Sequence, residues 1–291
     1  MADTFGKTIE LKYTEFSGSD AAGNDNYDGD PAIILHGLLG SKRNFASLGS
    51  SLAAQLSKRR RIIAVDLRNH GENSEETWTE DMSYSGMARD VVIGLLDRLE
   101  ISSCVLIGHS MGGKAAKAAA LLYPERVSGL VVMDIAPVEY TCERDAHWST
   151  VKGTIDAIAG VSLEGKTKRD VDLALRATVE DPALRAFVLT NLREDRQSGN
   201  LNWKINVEGI ERQLETIAGF DIGQDGESSI YHGETLIIKG GASRFVQNSH
   251  VEAISKYFPN YLLTSIRGAG HWIHAEAPDD TLAILKKYLD R

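Results

Sequence analysis

The sequence predicts an α/β protein with a largely parallel, doubly wound sheet. Three observations carry this. Strand and helix signals alternate almost from end to end. The strand signals are short, nearly continuous apolar runs, as expected of strands buried on both faces of a parallel sheet. The stretches between them show helical spacing, the pattern of βαβ units.

In chain order, Ile9 to Phe16 reads as a first strand. Ser17 to Asp30, rich in Gly, Asn and Asp, reads as a long loop with no assigned role. The buried strands are expected at Ala32 to Leu35, Ile62 to Val65, Val105 to Ile107 and Leu130 to Met133. Helices are expected at Leu48 to Leu56, around Met87, Val91, Leu95 and Leu96, and over the Ala-rich Lys114 to Leu122. After Pro137 the rhythm changes. Up to His232 the chain offers amphipathic helical segments, such as Val171 to Val179 and Ala183 to Leu192, and no convincing strand. The alternation resumes with Thr235 to Ile238, a helix near Val251 to Tyr257, the strand Tyr261 to Ile266 and a last helix from Asp279 to Leu289. The expected organisation is a core of residues 1–136 and 233–291 with a helical cap, 137–232, inserted over the carboxyl edge of the sheet. That edge is where open α/β sheets bind ligands.

Composition narrows the function. The 291 residues are 42% apolar and 25% charged, enough to bury a core without a metal or a disulfide staple. The net charge of −9 argues against nucleic acid, since phosphate binding needs a broad basic surface. Lys58 to Arg61 is the one basic run of note, placed where cations suit a helix C-terminus. Two cysteines, Cys104 and Cys142, without paired spacing fit neither a zinc site nor a secreted disulfide framework. No apolar stretch is long enough to span a membrane. Met1 to Glu10 shows neither a signal-peptide nor a transit-segment pattern. The expectation is a soluble intracellular, cytoplasmic protein that uses no cofactor or metal and acts on a small molecule.

The strongest motif is Gly108-His109-Ser110-Met111-Gly112, directly after an apolar run and directly before a helix. A sharp strand-to-helix turn of this kind raises a serine hydroxyl at the positive end of a helix, and its neighbours must lack bulk. A serine nucleophile needs a base, and the base needs an orienting acid. His271, in the Gly-rich loop after the strand Tyr261 to Ile266, is the expected base; His274, three residues on, is its rival. The acid is less obvious. The loop after Thr235 to Ile238 holds no carboxylate, and Ser243 stands where many hydrolases of this architecture carry one. Asp134, at the tip of the preceding strand, is the remaining choice. The backbone amides of Leu38 and Met111 are expected to form the oxyanion hole. His36, Arg244 and Trp203 are candidates for substrate contacts. Lys114, like Arg244, is a candidate for binding an anionic group, and Trp148, Phe187 and Leu192, like Trp203, for lining an acyl tunnel.

Taken together, several segments resemble one known group. They are His36 to Ser41, Asp66 to Gly71, Gly108 to Lys114, Met133 to Pro137, Gly270 to Ala275 and, in the cap, Asn191-Leu192 and Trp203 to Asn206. The chain is similar to the YbfF-type bacterial esterases and the eukaryotic abhydrolase-domain-containing protein eleven group. The resemblance implies the α/β-hydrolase fold, with eight strands and a helical cap after the sixth, and a serine esterase or thioesterase activity. It places the acid after the sixth strand, in agreement with Asp134. It also implies a mitochondrial location for the animal and fungal members, which this N-terminus does not support. A C–C hydrolase or lyase on the same frame, or a ligand receptor, are the alternatives; oligomeric state is left open.

Overall fold

The computed structural model describes residues 8–16, 27–73, 75–222 and 229–291. Residues 17–26, most of the acidic Gly/Asn loop noted in the sequence, and residues 1–7 lie outside the described residues. Seven strands form the main sheet: β1 (Tyr13–Phe16), β2 (Ala32–Leu35), β3 (Ile62–Val65), β4 (Cys104–His109), β5 (Val127–Met133), β8 (Thr235–Gly240) and β9 (Tyr261–Ile266). Two further strands, β6 (Leu192–Glu194) and β7 (Leu201–Trp203), pair in a hairpin of their own. The order in the main sheet is β1-β3-β2-β4-β5-β8-β9. Every pairing in it is parallel except β1 on β3.

Three expectations are corrected here. The sheet has seven strands among the described residues, not eight. The first strand begins at Tyr13 rather than Ile9, because the preceding amides are bonded to side chains instead of a neighbouring strand. Ile9 N–H donates to Asp90 Oδ1 (2.8 Å) and Lys12 N–H to Asn73 Oδ1 (3.0 Å). The third correction is the β6–β7 hairpin, in a block expected to hold no strand. Each of its strands is three residues long, too short for an alternating pattern to show.

Successive side chains of a strand point to opposite faces, and here both faces are covered. Ile33, Leu35, Ile63, Val65 and Leu106 pack with Met87, Val91 and Ala115 on one side. Ala32, Ile34, Ile62, Ala64 and Ile107 pack with Leu48, Leu52 and Leu285 on the other. Burial on both faces explains why these runs are apolar throughout. Helices α1 (Ala46–Gln55), α2 (Tyr84–Arg89) and α3 (Met111–Leu122) cross between the first strands. Between β5 and β8 lie α4 (Ala146–Ala159), α5 (Lys168–Leu175), α6 (Pro182–Leu189), the hairpin, α7 (Val207–Arg212) and α8 (Leu214–Ala218). Among the described residues no helix is long and apolar enough to cross a membrane.

Candidate active site

At the carboxyl end of β4, the central strand, the chain reverses sharply into α3. Ser110 occupies the turn with φ 52° and ψ −121°. A non-glycine residue at positive φ costs on the order of 1–2 kcal/mol and persists only where its surroundings enforce it. The enforcement is steric. A Cβ on Gly108 would lie 2.3 Å from the Gly112 carbonyl oxygen, and one on Gly112 would lie 2.5 Å from those of Leu35 and His36. The glycines let α3 start against both its own strand and the loop after β2.

Three side chains from distant parts of the chain meet at this turn. His271 Nε2 is 3.0 Å from Ser110 Oγ. His271 Nδ1 is 2.7 Å from Asp134 Oδ2. Asp134 is fully buried just past β5, itself at positive φ (55°). A buried carboxylate requires partners, and Asp134 has three: the His271 ring, the Gly240 N–H (3.0 Å to Oδ1) and the Ser243 hydroxyl, which donates to Oδ2. With a carboxylate accepting at Nδ1, the proton on the neutral ring sits there and leaves Nε2 free to accept from the serine.

The histidine is held from both sides. Phe245 lies against its ring at 4.0 Å between centroids. Its carbonyl oxygen is met by His109 Nε2 (2.9 Å). Glu276 accepts from the Gly270 N–H (2.6 Å) and the Trp272 N–H (3.1 Å), pinning the backbone on either side. His274, the rival base, packs instead on Phe45 at 4.4 Å and edge-on to His109 at 4.7 Å. Burial and the neighbouring His271 push its pKa down to about 4. Burial likewise holds His109 well below the usual histidine range.

The loop after β2 faces the serine. Leu39 takes a positive φ (60°) and its N–H donates to His70 Nε2 (3.1 Å). The Leu38 N–H has no hydrogen-bond acceptor among the described residues. Met111 is the first residue of α3, where amides are left unpaired by the helix. Neither amide has a hydrogen-bond acceptor among the described residues, and both residues line a cavity with Ser110.

The remaining sequence candidates fall elsewhere or are already engaged. His36 lines the cavity, but Nδ1 is bonded to the Gly37 carbonyl (2.8 Å) and Nε2 accepts the Leu67 N–H (2.9 Å). It braces two loops and has no nitrogen to offer a substrate. Trp203, on β7, lines a separate groove with Trp78 and Asn206, so its place as a substrate contact is corrected. Arg244 is exposed and outside the cavity lining, because the turn holding Ser243 inward carries the next side chain outward. Leu192 is buried in the core, while Phe187 and Trp148 do reach the cavities. Lys114 is buried and bonded to the Ala218 and Gly219 carbonyls (2.6 Å each). Asp66 is bonded to the Lys42 and Glu72 amides and paired with Lys42 Nζ (2.5 Å), which ties its loop together.

What motif reading missed is the support. Ser243 stands where a carboxylate is usual, yet it donates to one. Tyr140 lies in no motif; its hydroxyl donates to the Phe245 carbonyl (2.5 Å) and accepts the Ala136 N–H (3.0 Å), joining the β5 and β8 loops. No group of three or more metal-ligating side chains occurs among the described residues.

Residues 30–278 match the model of the family described as the α/β hydrolase fold. The chain belongs to that family. Within it, the chain is 38% identical over 271 residues to the mouse sn-1-specific diacylglycerol lipase ABHD11, covering 90% of this chain and 83% of that one. It is 31% identical over 266 residues to esterase YbfF of Escherichia coli strain K12, covering 91% and 95% respectively. A solved structure, a marine microorganism esterase, superposes with a TM-score of 0.86 at 31% identity, covering 97% of this chain and all of its own.

Proposed function

We propose that this protein is a serine hydrolase of carboxylic esters or thioesters, acyl-CoA among them, working through an acyl-enzyme. Ser110 is the nucleophile, His271 the general base and Asp134 the orienting acid, beneath a helical cap formed by residues 137–232. The observation that carries the reading is the continuous relay from Ser110 Oγ to His271 Nε2 (3.0 Å) and from Nδ1 to Asp134 Oδ2 (2.7 Å). Its family, and relatives named as esterases and lipases, support an esterase-type hydrolase.

In this mechanism Ser110 Oγ attacks the acyl carbon as its proton passes to His271 Nε2. The oxyanion is received by the Leu38 and Met111 amides, each such donor supplying about 3 kcal/mol in the transition state. The imidazolium, steadied by Asp134, returns the proton to the leaving oxygen or sulfur. Water then attacks the acyl-enzyme with His271 again as base. Substrate enters a cavity of about 260 Å3 lined by Leu184, Phe187, Phe245 and Trp272. Such a lining binds apolar groups and excludes water.

Ser110→Ala tests the assignment. It is expected to abolish both turnover of a chromogenic short-chain ester and labelling by a fluorophosphonate. Survival of either activity in a folded variant refutes it.

A further inference from the structure

The nucleophile opens onto two spaces. The larger is the 260 Å3 cavity, which His271 and Trp272 line. The smaller, about 30 Å3, lies at Ser110 among Met111, Tyr84, Tyr140, Trp148 and Ile217, and His271 takes no part in it. We infer that the smaller chamber receives the acyl group and the larger one the leaving alcohol or thiol, so that the protein selects short acyl groups, acetyl or propionyl, on bulky apolar leaving groups. The inference rests on the catalytic roles proposed above and adds the substrate class.

The assignment of sides follows from the path of the proton. Attack forms the bond from Ser110 Oγ to the acyl carbon, and the carbonyl electrons move to its oxygen. Collapse of that adduct breaks the bond to the leaving atom, which keeps the electron pair and takes the proton that His271 Nε2 received from Ser110. The leaving atom must therefore lie within hydrogen-bond reach of Nε2, on the side His271 lines. The oxyanion points at the Leu38 and Met111 amides. One substituent of the tetrahedral carbon remains, the acyl chain, and one space remains beside the nucleophile.

The size of that space is set by hydrogen bonds. A single water needs roughly 10–15 Å3 of such volume, so this chamber takes a methyl or ethyl group and not a fatty chain. Its walls are tied by polar contacts. Tyr84 donates to the Ile217 carbonyl (2.6 Å), Lys114 Nζ to those of Ala218 and Gly219, and Tyr140 to that of Phe245. Burial raises the pKa of both tyrosines, so they stay protonated donors. Widening the chamber would break these bonds where no water replaces them, which buried polar groups resist. The larger cavity, by contrast, is walled by apolar side chains such as Leu184, Phe187 and Trp272.

Two ester series on the intact protein test this. In one, naphthyl esters lengthen from acetyl through butyryl to octanoyl. In the other, acetates grow from ethyl through hexyl to naphthyl. The expected result is a kcat/KM for octanoyl at least about tenfold below acetyl, the scale of a misfitting methylene. The acetates hold or gain rate as the alcohol grows. Ile217→Ala and Trp148→Ala, checked for folding by their melting curves, raise the octanoyl-to-acetyl ratio by about tenfold or more. Octanoyl esters that match or outrun acetyl esters in the wild-type protein overturn the assignment, whatever the variants do. So do acetates that slow as the alcohol grows. If no ester is turned over and fluorophosphonate fails to label Ser110, the catalytic reading itself falls and this one with it.

Discussion

Asp134 reaches the Nδ1 of His271 at 2.7 Å from the end of β5, while Ser243, on the loop after β8, donates its hydroxyl to the same carboxylate oxygen. The acid and the serine come from neighbouring parallel strands, so either loop end lies beside the histidine. Replacing Asp134 by Asn keeps the shape and removes the charge. It also offers an N–H to Nδ1, which favours the wrong tautomer. The expected loss in kcat is up to about 10⁴, the scale of the same change in a serine protease. Steady-state rates on a chromogenic ester measure it, and a variant within tenfold of wild type would place the acid elsewhere.

Ser243→Ala removes one donor from a carboxylate that water cannot reach. Hydrogen bonds to charged groups contribute about 1.5–3 kcal/mol, so the melting temperature should fall. The rate should fall by less than in Asp134→Asn, because Gly240 N–H still holds Oδ1 and His271 still meets Oδ2. Thermal melts and ester kinetics on both variants give the ordering. A Ser243→Ala protein as inactive as Asp134→Asn would make the hydroxyl part of the machinery rather than its support.

The difference between these two residues shows what the sequence makes legible. Strands buried on both faces stand out as unbroken apolar runs, and the strand Tyr261–Ile266 and the helix Val251–Tyr257 coincide with their expected spans. Ser110 and Asp134 draw notice because each follows a strand of that kind, and His271 because it sits in a Gly-rich loop after the last strand. Ser243 and Tyr140 do not. Their partners lie 109 and 105 residues away, and no local pattern encodes contacts made only by adjacent strands. The hairpin β6–β7 was hidden for a different reason: its pairing is set by the loop between its strands, not by alternation within them.

Stability should fall as pH drops below neutrality. In the fold, burial holds His70 near 3 and His274 near 4. Unfolded, each takes a proton near the ordinary value of 6.5. Below that pH the unfolded chain binds more protons than the native one, so stability present above about 6.5 is lost progressively toward 4. His274 Nδ1 is also buried without a hydrogen-bond partner. His274→Phe, which keeps the stack on Phe45, should raise the melting temperature and flatten its decline with acid. Melting curves from pH 8 to pH 4.5 would show both, and a steeper decline in the variant would contradict the account.

Gly112→Ala tests the nucleophile turn without touching the relay. The added methyl would lie 2.5 Å from the carbonyl oxygens of both Leu35 and His36, so α3 must move away from the loop that carries Leu38. Overpacking of this kind costs about 1–3 kcal/mol in stability. It also parts the two amides proposed to receive the oxyanion, and loss of one such donor costs about 10²–10³ in kcat. A fall in kcat with KM little changed is expected. A loss confined to KM would point to a disturbed entrance instead.

Lys114 looks in the sequence like a hook for an anionic substrate, and its surroundings argue otherwise. Burial holds its amine well below the usual lysine range. Its Nζ donates to two carbonyls, those of Ala218 and Gly219, at 2.6 Å each. The Tyr84 and Tyr140 rings close over the nitrogen at 5.5 and 4.8 Å. Lys114→Met should leave both carbonyls unpaired, lower stability by about 2 kcal/mol or more, and release α8 from the wall beside Ser110. A hemisuccinate ester should gain nothing over the propionate of the same alcohol, since Lys114, the cation at the smaller chamber, is already engaged by two carbonyls. Paired kcat/KM values decide the point, and a hemisuccinate preference that disappears in Lys114→Met would restore the lysine as an anion site.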